Sequence, residues 1–170
     1  MTATSNNIRT ATSKWFECTV KYQKTAEDGT EKMVSERYVV DALSFTEAET
    51  RIIDEISTYA SGELGVTEIR PAAYKEVFFS DNNDVDRWYK VRIAFIVIDE
   101  RTEKEKKSYS YYLVNASCLN EAIKNLDQAF VNSMLDYQSV NVTETMILDV
   151  FEHEGGTMNE SETNKQDTLS

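Results

Sequence analysis

The chain has 170 residues, 41% hydrophobic and 28% charged, and 18 Lys+Arg against 30 Asp+Glu give a formal net charge of -12. That balance suits a globular chain long enough to bury a core, and it excludes a disordered or membrane-embedded one. One His, two Cys and five Gly leave little material for a multi-imidazole site, a zinc ligand set or a glycine-rich phosphate cradle.

Residues 1–13 hold no apolar stretch of the kind a signal peptide needs and read as a loose N-terminal arm. A strand opens at Trp15-Phe16. Its residues Phe16, Cys18, Val20 and Tyr22 face one way, and Glu17, Thr19 and Lys21 the other. The charged turn Glu27-Asp28-Gly29 leads into a second strand ending Val39-Val40-Asp41-Ala42. Ser44 and Glu47 then form an S-x-x-E capping box, whose hydroxyl and carboxylate satisfy orphan amides at a helix start. Phe45, Ala48, Ile52, Ile56 and Tyr59 recur on one face of that helix. A closing strand includes Val66-Thr67-Glu68 and Val77-Phe78.

After an acidic loop at residues 80–86, the same order returns. Trp88-Tyr89 opens a strand, and the stretch from Tyr89 to Ile98, apolar on both faces for much of its length, marks it as central in its sheet or covered twice. The turn Glu103-Lys104-Glu105 precedes a strand ending Leu113-Val114-Asn115-Ala116. A helix opens at Cys118-Leu119-Asn120-Glu121-Ala122, with Leu119, Ala122, Leu126 and Phe130 on one face. Val142-Thr143-Glu144 and Val150-Phe151 close the second copy. An offset of 72 to 76 residues throughout predicts an α+β protein built from an internally duplicated β-β-α-β unit, residues 14–79 and 87–151. Antiparallel sheet or sheets, two helices and a pseudo-twofold follow. The units can join edge to edge with both helices on one side, or pack face to face with a cleft between copies. Residues 152–170, one Lys against five acids with almost no large apolar residue, predict a disordered acidic tail.

The acidity belongs mainly to the duplicated core. Arg9 and Lys14 give residues 1–14 a charge of +2 and the tail carries -4, so 15 basic against 25 acidic residues leave -10 on Trp15–Phe151. Such a field repels polyanions and weighs against duplex nucleic acid as a partner. The longest aliphatic-aromatic run, Ile93–Ile98, is six residues, far short of a membrane span. Cys18 and Cys118, with no C-x-x-C spacing, fit a reducing compartment and a cytoplasmic location. Neither thiol has a credible imidazole partner, since His153 lies at the edge of the tail. The acidic loop departs from the EF-hand pattern, with Asp86 and Arg92 where a Gly and a Glu are needed. No cofactor, metal or enzymatic activity is therefore expected.

What remains is aromatic and basic. Arg37, Arg70 and Arg92 lie on predicted strands; Trp88 shares a strand face with Lys90 and Arg92, and Tyr109 and Tyr111 share a face of the next strand. Arginines and rings on one sheet face can stack a planar group and pair an anion without a glycine loop. The same residues can serve as cross-strand pairs, and each Arg as the partner of a Glu. The candidate ligand set is Arg37, Arg70, Trp88, Arg92, Tyr109 and Tyr111. Three functions follow: a non-enzymatic protein that binds or sequesters a small nucleotide-like anionic ligand; a protein-interaction or assembly module using an exposed sheet face, as a homodimer or higher homo-oligomer; or a single-stranded nucleic-acid binder.

The segments V-D-A-L-S-F-T-E-A-E (40–49), F-F-S-D (78–81) and D-R-W-Y-K (86–90) resemble an uncharacterised domain-of-unknown-function family of small proteins from gut Bacteroidota and their phages, including crAss-like phages. The resemblance spans Trp15–Phe151 and brings no established catalytic or binding residues. It implies a protein of the bacterial cytoplasm, serving a bacterium or a phage inside one. With a phage as its source, the first function becomes that of a phage-encoded sponge for a host defence signal.

Overall fold

The computed structural model describes residues 13–152. The expected arm (1–13) and tail (152–170) lie outside the described residues except for residues 13 and 152. Strands β1 (Lys14–Thr25) and β2 (Glu31–Ala42) precede helix α1 (Phe45–Ser57), followed by β3 (Leu64–Ala72) and β4 (Tyr74–Phe78). The second half carries the same elements in the same order: β5 (Trp88–Ile98), β6 (Glu105–Asn115), α2 (Leu119–Ala129), β7 (Asp136–Glu144) and β8 (Ile147–Phe151). The protein is α+β. The capping box forms at α1, where Ser44 Oγ accepts from the Glu47 amide at 3.1 Å and Glu47 Oε2 accepts from the Leu43 amide at 3.0 Å. At the matching position of α2, Cys118 makes no such bond.

In one respect the unit differs from the expected β-β-α-β. Each closing strand is two strands, broken at Ala73 in the first half and at Thr145-Met146 in the second. The break carries the chain from one sheet to the other. One sheet runs β3-β1-β2-β8 and the second β4-β6-β5-β7, so each half contributes its last strand to the other half's sheet. The hairpins pair antiparallel, whereas β8 joins β2 and β4 joins β6 in parallel. β5 is central, between β6 and β7, as its largely apolar stretch suggested.

Strand alternation distributes the side chains over three cores. Phe16, Cys18, Val20 and Tyr22 of β1 pack with Ala48, Ile52 and Ile56 beneath α1. Tyr89, Val91, Ile93 and Phe95 of β5 pack with Ala122 and Leu126 beneath α2. The third core lies between the sheets and joins Trp15, Val39, Ile147 and Val150 of one to Trp88, Leu113, Tyr74 and Val77 of the other. The architecture is therefore helix, sheet, sheet, helix, the face-to-face arrangement of the two considered. Its third core consists of four equivalent pairs: Trp15 with Trp88, Val39 with Leu113, Tyr74 with Ile147, and Val77 with Val150.

The ends of the loop at residues 80–86 are tied to the buried Asn115 of β6, which accepts from the Ser80 amide at 3.3 Å and donates to the Val85 carbonyl at 3.4 Å. Its middle closes on local bonds such as Asp84 amide to Asn82 Oδ1 at 3.0 Å. Because each sheet needs a strand from the opposite half, that middle is not what joins the halves. Proteolytic cleavage between Asp81 and Asp84 is expected to leave two fragments that co-elute at the size of the intact protein under native conditions. Separation of the fragments without denaturant would show the exchanged strands to be dispensable.

Beside the first core, Glu36 accepts from the hydroxyls of Tyr22 at 2.5 Å and Tyr38 at 2.6 Å, with Lys24 Nζ at 3.6 Å. Burial pushes the Glu36 carboxyl up, but the two phenols and Lys24 outweigh it and hold it below its ordinary value. Burial and the bond to Glu36 push the Tyr22 hydroxyl up to about 12, and the same causes raise Tyr38. Both phenols resist ionisation in the fold more than in the unfolded chain. The contribution of these two phenols to stability is therefore full below pH 10 and falls as pH rises towards about 12, while that of Glu36 is lost as pH falls through the carboxylate range. Urea midpoints at pH 8 and pH 11 should show that loss, and Tyr22→Phe should shrink the difference between them. An undiminished difference in the variant would place the alkaline sensitivity elsewhere.

Candidate functional site

The layer between the sheets turns polar beyond the third core. There it opens into a cavity of about 360 Å³ lined by Glu17, Arg70, Pro71, Ala72, Ala73, Tyr74, Lys90 and Tyr111. Strand register explains the gathering. Glu17 of β1 stands opposite Arg70 of β3, and Tyr74 of β4 stands opposite Tyr111 of β6. Lys90 of β5 projects from the same sheet face as Tyr111. The single-residue joint at Ala73 puts Arg70 and Tyr74 on opposite walls although they are four residues apart.

Glu17 organises this cavity. Its Oε1 accepts from the Tyr74 hydroxyl at 2.6 Å, and its Oε2 accepts from Arg70 Nε at 3.2 Å and Nη2 at 3.1 Å. Burial, then the bond to Glu17, pushes the Tyr74 phenol far up, so it remains a donor throughout the physiological range. Arg70 also approaches Glu68, at 3.8 Å, with its side chain 50% exposed. Lys90 is differently placed. No ion pair joins it to a described carboxylate; its ammonium lies 4.5 Å from the Tyr111 ring centre and 5.9 Å from that of Tyr74. Two cations against one carboxylate leave the lining with one net positive charge in a strongly acidic protein.

The six residues expected from the sequence divide. Arg70 and Tyr111 line the cavity. Arg92 and Tyr109 lie outside it, one step along the same two strands, with the guanidinium 4.0 Å from the ring centre. Arg37 does not line the cavity, but its charge, with that of Arg70, opposes the rise at Tyr74. Trp88 belongs to the third core at 3% exposure, edge-on to Phe79, and offers no surface to a ligand. Cys18, fully buried, has its thiol pushed up to about 12 by burial and by the Glu17 charge, as befits a core residue rather than a nucleophile.

Glu17, Tyr74 and Lys90 were not among the expected set. Glu17 was visible as an outward acid on β1, and Lys90 as a neighbour of Arg92. Tyr74 enters only through the exchange of β4.

Glu17→Gln keeps the shape of the side chain and removes the charge that holds Arg70. The substitution is expected to lower stability by about 1–3 kcal/mol, read from the urea midpoint with an unchanged denaturant slope. An unmoved midpoint would show that solvent already screens the Arg70 pair and that the Tyr74 bond survives on the amide.

Among the described residues, no helix is long and apolar enough to cross a membrane. Residues 14–153 match the family described as domain of unknown function (DUF4494), and the chain belongs to that family. The match takes in both halves and every residue of the cavity. Comparison with curated proteins yields no match.

Proposed function

We propose that this member of the DUF4494 family binds a small, nucleotide-like anion in the cavity between its sheets and does not transform it. The observation that carries the reading is Lys90: an ammonium without a described carboxylate partner, held against two tyrosine rings at a concavity of ligand size. Arg70 supplies a second, partly exposed cation, so the cavity has one arginine and one lysine where the sequence pointed to Arg37, Arg70 and Arg92. One net positive charge suits one negative charge, and each further charge on a ligand meets the field of the acidic protein.

Chemistry at the bound group lacks a free base. Glu17 is the one carboxylate lining the cavity, and both of its oxygens already accept hydrogen bonds. A protein that holds such a ligand and leaves it intact carries or sequesters it. In a phage, that activity makes a sponge for a host signal.

Native mass spectrometry of protein taken directly from expressing cells tests the reading. The wild type is expected to carry a small-anion adduct that Lys90→Gln lacks. The same bare mass in both overturns it. A second reading, assembly, is favoured by the exposed apolar residues Val131, Met134 and Leu135 after α2. It is judged on the oligomeric state in the same spectra.

A further inference from the structure

Outside the cavity, the pattern that places Lys90 on Tyr111 repeats. Lys90 pairs across the strands with Leu113 and leans one step along β6 onto Tyr111. Arg92 pairs with Tyr111 and leans one step further onto Tyr109, its guanidinium 4.0 Å from the ring centre. Two residues of strand separate the two pairs, about 7 Å. Cations and rings therefore alternate along one sheet face, from Lys90 through Tyr111 and Arg92 to Tyr109.

Arg92 is the unspent member of this row. It makes no ion pair with a described carboxylate, and its Nε is buried without a hydrogen-bond partner among the described residues. Tyr109 is 49% exposed, so the stacked pair presents an aromatic and guanidinium surface to solvent beside the cavity mouth. The neighbouring cross-strand position on β7 is Asn141, whose Oδ1 accepts from the Thr143 hydroxyl at 2.7 Å and whose amide NH2 can donate to the edge of a planar group. Charge attraction alone does not require such a surface. Stacking of a flat, electron-delocalised ring does.

We infer that Arg92 and Tyr109 form a second subsite, which takes the planar ring of a ligand whose anionic group lies between Arg70 and Lys90. The inference rests on the reading of the cavity as an anion site and adds the ligand's class: one anionic group joined to an aromatic heterocycle by a short, ribose-sized spacer. The spacing of the two pairs along the strands sets that length.

The test uses three probes in NMR titrations of the full chain: dimethyl phosphate, adenosine and 3′,5′-cyclic AMP. The first and third carry the same single charge, so charge does not separate them. Cyclic AMP is expected to bind about tenfold tighter than dimethyl phosphate, a ratio typical of one stacked base. Tyr109→Ala should bring the two affinities together. Arg92→Lys, which keeps the charge but loses the planar face, should lower the same ratio. Equal affinities in the wild type, or a ratio that survives both substitutions, overturn the ring subsite while leaving the anion site standing. Failure of both anions to bind overturns both. Tight binding of adenosine alone also overturns the inference, since it would place the ring without the anion.

Discussion

Everything in this fold depends on the layer where the two sheets meet, and that layer exists because each half surrenders a strand. Without β8, the first sheet would end at β2 and expose the far side of Val39 and Trp15. Without β4, the second would expose Leu113 and Trp88. Tyr74, Val77, Ile147 and Val150 supply the apolar surface that closes both gaps. A helix covers the other face of each sheet, so neither sheet can bury its remaining apolar surface alone. Exchange is therefore the physical requirement that makes two similar halves one cooperative unit.

The same layer also determines where polar chemistry can occur. Between two sheets, an ionisable side chain must be paired, must reach the rim, or must shift its ionisation. Glu17 takes the first course with Arg70 and Tyr74; Lys90 takes the second, its ammonium resting against rings instead of a carboxylate. Arg92 follows the same solution on Tyr109. In a chain with a net charge of -12, cations set against rings rather than carboxylates are the ones whose charge is not already neutralised nearby. These two cations stand without the broad basic patch that a polynucleotide surface would need.

Much of the framework was legible in the sequence because short-range rules govern it. The alternation of Phe16, Cys18, Val20 and Tyr22, the Ser44–Glu47 cap and the doubly apolar strand at Tyr89–Ile98 all appear in the structure where their periods place them. The recurrence of elements at a nearly constant offset anticipated the order of both halves. The joints at Ala73 and Thr145-Met146 were not legible: Pro71 precedes the first by two residues but lies within β3, no Gly or Pro stands at the second, and a single extended segment reads the same whether it stays in one sheet or crosses to the next. The cavity inherits that gap. Arg70, Tyr111, Arg92 and Tyr109 could be assigned to strand faces, but Tyr74 joins them only across the exchange, and Trp88 looked like a ligand platform until the opposing sheet covered it.

The two halves share a scaffold but not a site, and the registers show where they part. The half-site equivalent to Glu17–Arg70 is Lys90–Thr143, and the pair equivalent to Tyr74–Tyr111 is Ile147–Arg37. Each position of the third core keeps an apolar residue in both halves, whereas the charged and aromatic positions around the cavity, Glu17, Arg70, Tyr74 and Tyr111, correspond to Lys90, Thr143, Ile147 and Arg37. Tyr74 and Ile147 stand at the boundary between these behaviours: both bury apolar surface in the third core, but only Tyr74 carries a hydroxyl that reaches Glu17. Packing constrains both copies alike because the inter-sheet layer needs both. The rim is free of that constraint, and there the asymmetry concentrates tyrosines on one sheet and leaves Glu17 to face Lys90 across the cavity. A twofold scaffold with one elaborated rim suits a ligand that has no twofold of its own, such as one with an anion at one end and a ring at the other.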